Sequence, residues 1–241
     1  MDKYISIVIP AYNEEKNIQL TLKEIAEYLQ KKDFPYEIIV ADDGSSDSTV
    51  KLAEEFGEYF NDFRIILSSP NRGKGYVLRK GMLEAKGKYI MFMDADNATS
   101  IYELDKFLPY LEDGCDAVIA SRRLKDSEIV VPESFLRILM GNVYIILSRI
   151  LIGGRVSDFN CGFKAYKNES AKKIFSHQKM DDWSFDTELI FLLNKNKMTI
   201  KEIPVKWEHK DDSKVKPLKA GIESFLSLLK IRYNDITKKY D

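Results

Sequence analysis

Asp94 and Asp96, separated by Ala95, come directly after the apolar run at residues 89–93. Such a run predicts a buried strand, and residues two apart at the end of a strand aim their side chains the same way. Two carboxylates held together call for a cation, and Mg²⁺ prefers oxygen ligands while sharing its coordination sphere with a substrate's phosphates. The spacing therefore indicates a metal and diphosphate site, with a solvated or capping aspartate pair as the alternative.

Two loops add to this chemistry. The glycine-rich loop NRGKG at residues 71–75 lets backbone N–H groups approach an anion, and Lys74 adds positive charge. Neither GxxxxGK[ST] nor GxGxxG occurs, so the loop is neither a P-loop nor a dinucleotide-binding turn. Asp42 and Asp43 follow a second predicted strand, at residues 37–41.

The elements that must position these side chains alternate along the first half of the chain. Strands are predicted at residues 5–9, 37–41, 64–67 and 89–93. Helices are predicted at 18–29, from Asp47 or Ser48 to about Phe56, and from Gly75 to Ala85. This alternation predicts an α/β fold with a mainly parallel sheet and right-handed crossovers. Such sheets bind ligands at the carboxyl ends of their strands. Three acidic segments emerge there, namely Asn13-Glu14, Asp42-Asp43 and Asp94-Ala95-Asp96.

Composition narrows the class of protein. With 241 residues, 44% hydrophobic and 31% charged, the chain is neither disordered nor a polytopic membrane protein. Its two cysteines lie too far apart for a zinc site and are too few for a disulfide framework. The N-terminus shows no export-signal pattern, so a cytoplasmic setting is expected.

Charge is divided unevenly. The first 134 residues carry 17 Lys and Arg against 25 Asp and Glu, whereas residues 135–241 carry 20 against 13. Either this is ordinary surface scatter, or an acidic half handles a cation-bound ligand and a basic half meets an anionic partner. Nucleic acid is disfavoured because no nucleic-acid-binding motif accompanies the basic residues.

The second half holds two apolar stretches. In residues 135–152 only eleven residues separate Arg137 from Arg149, against about 20 needed to span a bilayer. This segment is either a buried helix pair or a surface that rests in lipid headgroups. A last amphipathic helix is expected to pack one face on the core, formed by Leu218, Ile222, Phe225, Leu226, Leu229, Tyr233 and Ile236.

Eight motifs between residues 4 and 216 resemble the family 2 glycosyltransferases with the GT-A fold, and within them the polyprenyl-phosphate (dolichyl-phosphate) glucosyl- and mannosyltransferases. They are IVIPAYNEE, ADDGSSDST, NRGKG, MDADNAT, ASRR, DFNCGFKAY, WSFDTEL and VKWEHKDDSKV, in this order. The resemblance implies one GT-A domain over residues 1–241. Its nucleotide-sugar half covers about 1–125, and its acceptor and membrane-facing half covers about 126–241.

The resemblance also implies roles for single residues. Contacts to the nucleotide base and ribose fall on Pro10, Tyr12, Glu14, Val40 and Asp42, with Asp43 beside them. Asp94 and Asp96 match the motif that binds Mg²⁺ or Mn²⁺ with the diphosphate, and Ala95 matches a residue packed on the nucleotide. Arg122 matches an arginine near the phosphates and the acceptor, and Lys214 a lysine on a loop that closes over the diphosphate.

The acceptor side is assigned less closely. Lys164 is a candidate contact to an acceptor phosphate, and His209 and Lys210 lie where relatives place another basic contact. Asp186 stands where relatives that glycosylate a hydroxyl keep their general base, and Glu188 has a similar claim. For both, the alternative is a carboxylate stabilised by the helix dipole at a helix N-terminus.

Three functions follow from these residues. The first is an inverting transfer of a hexose from a nucleotide sugar to a polyprenyl phosphate at the cytoplasmic face of a membrane. Ala98 stands where many mannosyl relatives have glutamine, which favours UDP-glucose over GDP-mannose. The second is transfer to a saccharide hydroxyl, with Asp186 as the base. The third is a non-catalytic protein that binds nucleotide sugars.

Overall fold

A computed structural model describes residues 3–130, 135–154, 156–208 and 217–241. The strands are β1 Ile5–Ala11, β2 Tyr36–Asp42, β3 Phe63–Leu67, β4 Tyr89–Met93, β5 Ala117–Ser121, β6 Glu128–Ile129, β7 Phe163–Lys167, β8 Ile200–Pro204 and β9 Lys206–Trp207. The α-helices are α1 Ile18–Leu29, α2 Thr49–Gly57, α3 Lys74–Glu84, α4 Leu108–Glu112, α5 Phe135–Leu151, α6 Asn168–His177, α7 Phe185–Lys195 and α8 Pro217–Ile236. A 3₁₀ helix covers Ile101–Lys106. The strands and helices predicted in the first half are confirmed, with ends shifted by one or two residues.

The described residues form a seven-stranded sheet in the order β3-β2-β1-β4-β7-β5-β8. All neighbours are parallel except β7, which runs antiparallel to both β4 and β5. The mainly parallel α/β prediction is therefore confirmed, with one reversed strand. Because β7 is reversed, its first residues lie at the same edge of the sheet as the last residues of β4 and β5. Phe163 pairs with Met93, and Lys164 pairs with both Phe92 and Ile119.

The core lies on both faces of the sheet, as expected for parallel strands covered by helices. Alternate residues of β1 point to opposite faces, so Val8 joins a cluster with residues of α3, α6 and α7. Ile7 and Ile9 join a second cluster, which includes the buried face of α1. Buried strands held from both sides form a rigid support for the loops at their ends.

The two apolar stretches of the second half each form one helix. Residues 135–151 form α5, so the first alternative, a buried helix pair, is wrong, and the second, a surface resting in lipid headgroups, stays a prediction. The prediction that one face of α8 packs on the core is wrong for the five residues whose side chains are described, because Leu228 and Ile231 are the fully buried residues. The side chains of Leu218 and Ile222 lie outside the described residues. The predicted face includes exposed side chains, with Ile236 at 73% and Tyr233 at 60% exposure. In the described part of the chain, no helix has the length and apolarity needed to cross a bilayer.

Candidate active site

The sheet places the acidic segments together at its carboxyl edge. The strand order changes direction between β1 and β4, and ligands of α/β proteins bind at such a switch point. Tyr12 and Glu14 follow β1, and Asp94 and Asp96 follow β4. Pro10 and Val40 differ from these residues, because both are buried within their strands. Val40 belongs to the same core cluster as α1.

Asp42 and Asp43 shape the loops beside this edge. The buried carboxylate of Asp42 accepts hydrogen bonds from the backbone N–H groups of Gly44 and Ser45, both at 2.9 Å. Gly44 has a φ of +79°, which a residue with a side chain rarely adopts. Asp43 accepts hydrogen bonds from the N–H groups of Arg72 and Gly73, at 2.9 and 2.7 Å. Asp43 thus ties the NRGKG loop to the end of β2.

The predicted metal pair lies beside Lys74. The Nζ atom of Lys74 is 2.5 Å from Oδ1 of Asp94. Burial lowers the pKa of Lys74, but the neighbouring carboxylates, Asp94 foremost, raise it overall, so this lysine is a cation. Burial, together with Asp96 and Asp94, raises the pKa of Glu14, which places a third carboxyl nearby. The site therefore brings several carboxylate oxygens near one another, and such oxygens are the ligands that a hard divalent ion prefers.

A metal ion at this site would need further oxygen ligands from a bound substrate. Within the described residues, no group of three or more His, Cys, Asp or Glu side chains is arranged to hold a metal by itself. Mg²⁺ is commonly bound by one or two carboxylates together with substrate phosphates. The arrangement thus suits a metal that arrives with a diphosphate.

Gly162 is required by its close approach to Asp94. A Cβ atom at this position would collide with the Asp94 carboxylate. Gly162→Ala should therefore displace Asp94 rather than the backbone, because the obstructing group is a side chain that can rotate. Because one charged contact to the metal is lost, we expect the affinity for Mn²⁺ in the presence of UDP to fall at least about tenfold. Calorimetry measures this affinity. Thermal unfolding serves as the control, and unchanged metal and UDP affinity would contradict this role.

Arg122 is held by a residue that sequence reasoning missed. Its Nε and Nη2 atoms donate to the two carboxylate oxygens of Asp158, at 2.7 and 2.9 Å. The ring of Trp207 lies 5.2 Å from the guanidinium carbon. Planar bidentate pairing fixes the direction of an arginine side chain. Asp158 opens the DFNCGFKAY motif, so the motif contained a signal for it, but spacing alone did not connect it with Arg122.

The ion pair between Arg122 and Asp158 should make the stability of the fold decrease at acidic pH. Asp158 is almost fully buried, yet Arg122 lowers the pKa of its carboxyl to about 2. A carboxyl whose pKa is lower in the folded state stabilises the fold above its unfolded pKa of about 3.9, and that stabilisation is lost as the pH falls towards 2. We expect Asp158→Asn to remove about 2 kcal/mol of this pH-dependent term between pH 5 and pH 2. Urea unfolding at each pH measures it, and equal pH slopes in the two proteins would refute the assignment.

Lys164 and Asp186 form a buried ion pair beneath the same edge. Lys164 is fully buried, and its Nζ atom donates to Asp186 and, at 3.0 Å, to the carbonyl oxygen of Phe159. Burial raises the pKa of Asp186, although Lys164 and Lys74 act in the opposite direction. The pair therefore holds the start of α7 against β7, and Asp186 already has a strong partner.

Other candidates have structural partners. Glu188 is fully buried and accepts hydrogen bonds from the N–H groups of Lys179 and Met180 and from the hydroxyl of Tyr240. It therefore ties α7 to neighbouring segments. Cys161 is buried. Trp183 is 71% exposed, and the Nζ atom of Lys74 lies 5.1 Å from the centre of its ring. Three predicted basic contacts lie outside the described residues: Lys214, His209 and Lys210.

The segment 158–162 joins the two sides of the site. Asp158 contacts Arg122 at the end of β5, and Gly162 abuts Asp94 at the end of β4. Four peptide links reach at most about 14 Å, so an arginine and the acidic pair lie within the span of a small substrate complex. A sequence model described as glycosyl transferase family 2 matches residues 6–175. The chain belongs to this family.

Individual proteins of known name are similar in sequence to this family 2 glycosyltransferase. It is 34% identical to the dolichyl-phosphate beta-glucosyltransferase of Dictyostelium discoideum, over 95% of this chain and 74% of the relative. The human dolichyl-phosphate beta-glucosyltransferase is 33% identical, over 98% of this chain and 76% of the relative. The predicted enzyme class, a glycosyltransferase, is confirmed, which sets aside the non-catalytic alternative.

Solved structures of glucosyl-3-phosphoglycerate synthase from Mycobacterium tuberculosis share the fold of this family 2 glycosyltransferase. The complex with UDP has a TM-score of 0.72 at 20% identity and covers 95% of this chain and 80% of that one. The complex with Mn²⁺, UDP-glucose and phosphoglyceric acid has a TM-score of 0.71 at 19% identity, covering 95% and 79%. The predicted GT-A fold is thereby confirmed.

Proposed function

We propose that this glycosyltransferase moves glucose from UDP-glucose to a polyprenyl phosphate such as dolichyl phosphate, with inversion at the anomeric carbon. The observation that carries the proposal is the junction of Asp94 and Arg122 through the segment 158–162. An acidic pair suits the metal-bound diphosphate of the donor, and a fixed arginine suits an anionic acceptor. The names of the sequence relatives support glucose and dolichyl phosphate.

The residues of the chain divide the work between donor and acceptor. The first half, about 1–125, takes the nucleotide sugar, with Glu14 and the loop held by Asp42 and Asp43 around the nucleotide. Lys74 offers a cation beside the diphosphate. In the second half, about 126–241, Asp158 aims the guanidinium of Arg122 at the acceptor phosphate. A phosphate acceptor is already anionic near neutral pH, so no side chain need remove a proton from it.

Asp94 and Asp96 would hold Mg²⁺ or Mn²⁺. When bound, the metal supplies charge stabilisation to the departing diphosphate. The fold neighbours crystallised with Mn²⁺ and UDP-glucose support the choice of metal and donor. Lys214 remains a proposed second cation for the diphosphate. GDP-mannose is the competing donor, and Ala98 is the residue that argues against it.

We place the reaction at the cytoplasmic face of a membrane, where a lipid acceptor presents its phosphate. Both cysteines, Cys115 and Cys161, are free thiols, which suits a reducing compartment. The basic excess of residues 135–241 suits anionic headgroups.

A donor-by-acceptor panel tests the proposal. Purified protein with Mg²⁺ or Mn²⁺ receives labelled UDP-glucose, GDP-mannose or UDP-N-acetylglucosamine, with or without a short polyprenyl phosphate. We expect lipid-dependent label in the organic phase from UDP-glucose. Transfer from GDP-mannose alone would show that GDP-mannose, not UDP-glucose, is the donor. If a donor bound but no label reached the lipid, the proposed polyprenyl phosphate acceptor would be wrong.

A saccharide hydroxyl is the second candidate acceptor, and Asp186 favours it because its pKa is raised. A hydroxyl acceptor requires Asp186 as a general base, so Asp186→Asn would then lower the rate of transfer by about 10²-fold or more. With a phosphate acceptor we expect less than about a tenfold loss per folded molecule and an unchanged pH profile. Single-turnover rates from pH 6 to pH 9 separate the two cases.

A further inference from the structure

Trp183 stands at the rim of the candidate active site with most of its indole ring open to solvent. It is 71% exposed, although it lies two residues before the start of α7. The Nζ atom of Lys74 is 5.1 Å from the centre of the indole ring, and the same atom is 2.5 Å from Oδ1 of Asp94. Lys74 therefore links an exposed aromatic ring to the residues proposed to hold the metal and the diphosphate.

The backbone that leads into Trp183 is packed tightly on the first turn of α3. The N–H group of Tyr76 donates a hydrogen bond to the carbonyl oxygen of Asp181, at 3.2 Å. A Cβ atom at Gly75 would come within 2.6 Å of the carbonyl oxygen of Met180, so the two backbones are in direct contact. The chain is therefore fixed where it presents the exposed ring, and it is fixed to the helix that Lys74 begins.

The chemistry around Trp183 suits a sugar ring. The face of an aromatic ring carries negative charge density, which attracts a cation such as Lys74 and also the positively polarised C–H groups of a sugar. Small-molecule sites combine apolar and aromatic surface with a few charged or polar groups that bind the polar part of the ligand. Lys74 and Asp94 are such groups for hydroxyls. Trp183 and its neighbours thus have the composition of a sugar-binding surface.

The place of Trp183 in the fold distinguishes the sugar from the nucleoside. Helices α1 and α2 follow the segments proposed for the nucleoside, and both pack on one face of the sheet. α7 packs on the other face, in the cluster that contains Val8. Trp183 therefore approaches Asp94 from the side opposite to the nucleoside segments. In a nucleotide sugar the hexose is attached at the end of the diphosphate away from the nucleoside, so the hexose is the group that meets Trp183.

We propose that the indole of Trp183 binds the hexose of the donor by packing against the C–H face of the sugar ring. This inference deepens the proposed function and rests on it for the place of the diphosphate. Because the contact is to the sugar, removal of the indole should weaken binding of the nucleotide sugar. Binding of the nucleoside diphosphate without the sugar should be unchanged.

Calorimetry with the full chain and Mg²⁺ tests the proposal by comparing UDP-glucose with UDP. For Trp183→Ala we expect the affinity for UDP-glucose to fall about tenfold, with the affinity for UDP unchanged. Trp183→Phe keeps an aromatic face and should retain most of the affinity for UDP-glucose. Thermal unfolding verifies that each variant is folded.

Tyr59→Ala is the matched control. Tyr59 is another exposed aromatic residue, at 68%, and it lies between the end of α2 and the start of β3, at the opposite edge of the sheet from the site. This variant should bind both UDP-glucose and UDP like the wild type.

Fluorescence gives a second readout, because the chain contains two tryptophans, Trp183 and Trp207. In Trp207→Phe, the tryptophan emission comes from Trp183 alone. We expect UDP-glucose to shift this emission to shorter wavelength, since the sugar displaces water from the indole. UDP should leave the emission unchanged, and an equal shift with both ligands would contradict the proposal.

Three results from calorimetry would overturn the inference. Equal losses of affinity for UDP and UDP-glucose in Trp183→Ala would assign the indole to the nucleotide. Unchanged affinity for both ligands, together with slower transfer to a polyprenyl phosphate, would assign it to the acceptor. Equal losses of affinity for UDP-glucose in Trp183→Phe and Trp183→Ala would show that an aromatic face is not what binds the sugar.

Failure of the proposed function would look different. If the wild type bound GDP-mannose and not UDP-glucose, the proposed donor would be wrong. A loss in Trp183→Ala that was confined to GDP-mannose and spared GDP would then still support the inference about the hexose. If the wild type transferred glucose to the lipid while Trp183→Ala kept full affinity for UDP-glucose, the inference alone would fail.

Discussion

Asp96→Asn should lower sugar transfer by about a thousandfold while the protein stays folded. An amide oxygen carries no charge and binds a hard divalent ion far less strongly than a carboxylate does. The asparagine oxygen can still accept the hydrogen bond that the N–H group of Ala98 now donates to Oδ1 of Asp96, at 2.9 Å. The backbone of the turn should therefore keep its shape. Single-turnover transfer, together with the Mn²⁺ bound in the presence of UDP, measures the effect.

Asp33→Asn is the matched control for this substitution. Asp33 is exposed and precedes β2, at the opposite edge of the sheet from the candidate site. The control should leave both transfer and Mn²⁺ binding unchanged. If Asp96→Asn kept more than about a tenth of the wild-type rate, the metal and diphosphate assignment would be wrong.

Lys164→Met should be the most destabilising of the substitutions considered. It removes the cation that neutralises Asp186 and leaves a carboxyl that is only 4% exposed. Loss of one partner of a buried ion pair costs about 3–5 kcal/mol, because the remaining group is buried without compensation. Urea unfolding at pH 7 should show this decrease in the free energy of unfolding.

The double variant Lys164→Met with Asp186→Val shows whether the loss of stability comes from the unpaired carboxyl group. Apolar residues of similar volume can replace both members of a buried pair at little cost. We expect the double variant to recover most of the stability lost by Lys164→Met. If the single variant lost less than about 1 kcal/mol, as exposed ion pairs do, Lys164 would not be the buried partner described here.

Local patterns in the sequence were sufficient to predict much of the first half of the chain. The runs that became β1, β2 and β4 are mostly apolar because helices cover both of their faces. The apolar spacing of α1 marks its buried side directly. The acidic residues follow these strands without a break, so the edge on which Asp42, Asp94 and Asp96 lie could be predicted before any contact was known.

The part of the site around Arg122 and Lys164 depends on contacts between residues that are distant in the sequence. The pairing of Arg122 with Asp158 joins residues 36 positions apart, and no periodicity predicts it. The sequence alone favours an exposed position for a lysine such as Lys164. In the fold, β7 lies between β4 and β5, and Lys164 is therefore buried. In α8, apolar residues occur on several sides of the helix, so spacing could not tell which side meets the core. Packing against α5 and the main core decides that.

A phosphate acceptor and a hydroxyl acceptor are distinguished by comparing two lipids that differ only in the phosphate group. Labelled UDP-glucose and Mn²⁺ are given to the purified protein with a short polyprenyl phosphate or with the polyprenol of the same length. We expect label in the organic phase with the phosphate and none above background with the alcohol, because the fixed guanidinium of Arg122 attracts an anionic phosphate, whereas an uncharged alcohol would need a general base to remove its proton. Label on the alcohol, or on neither lipid while UDP-glucose still binds, would contradict the account.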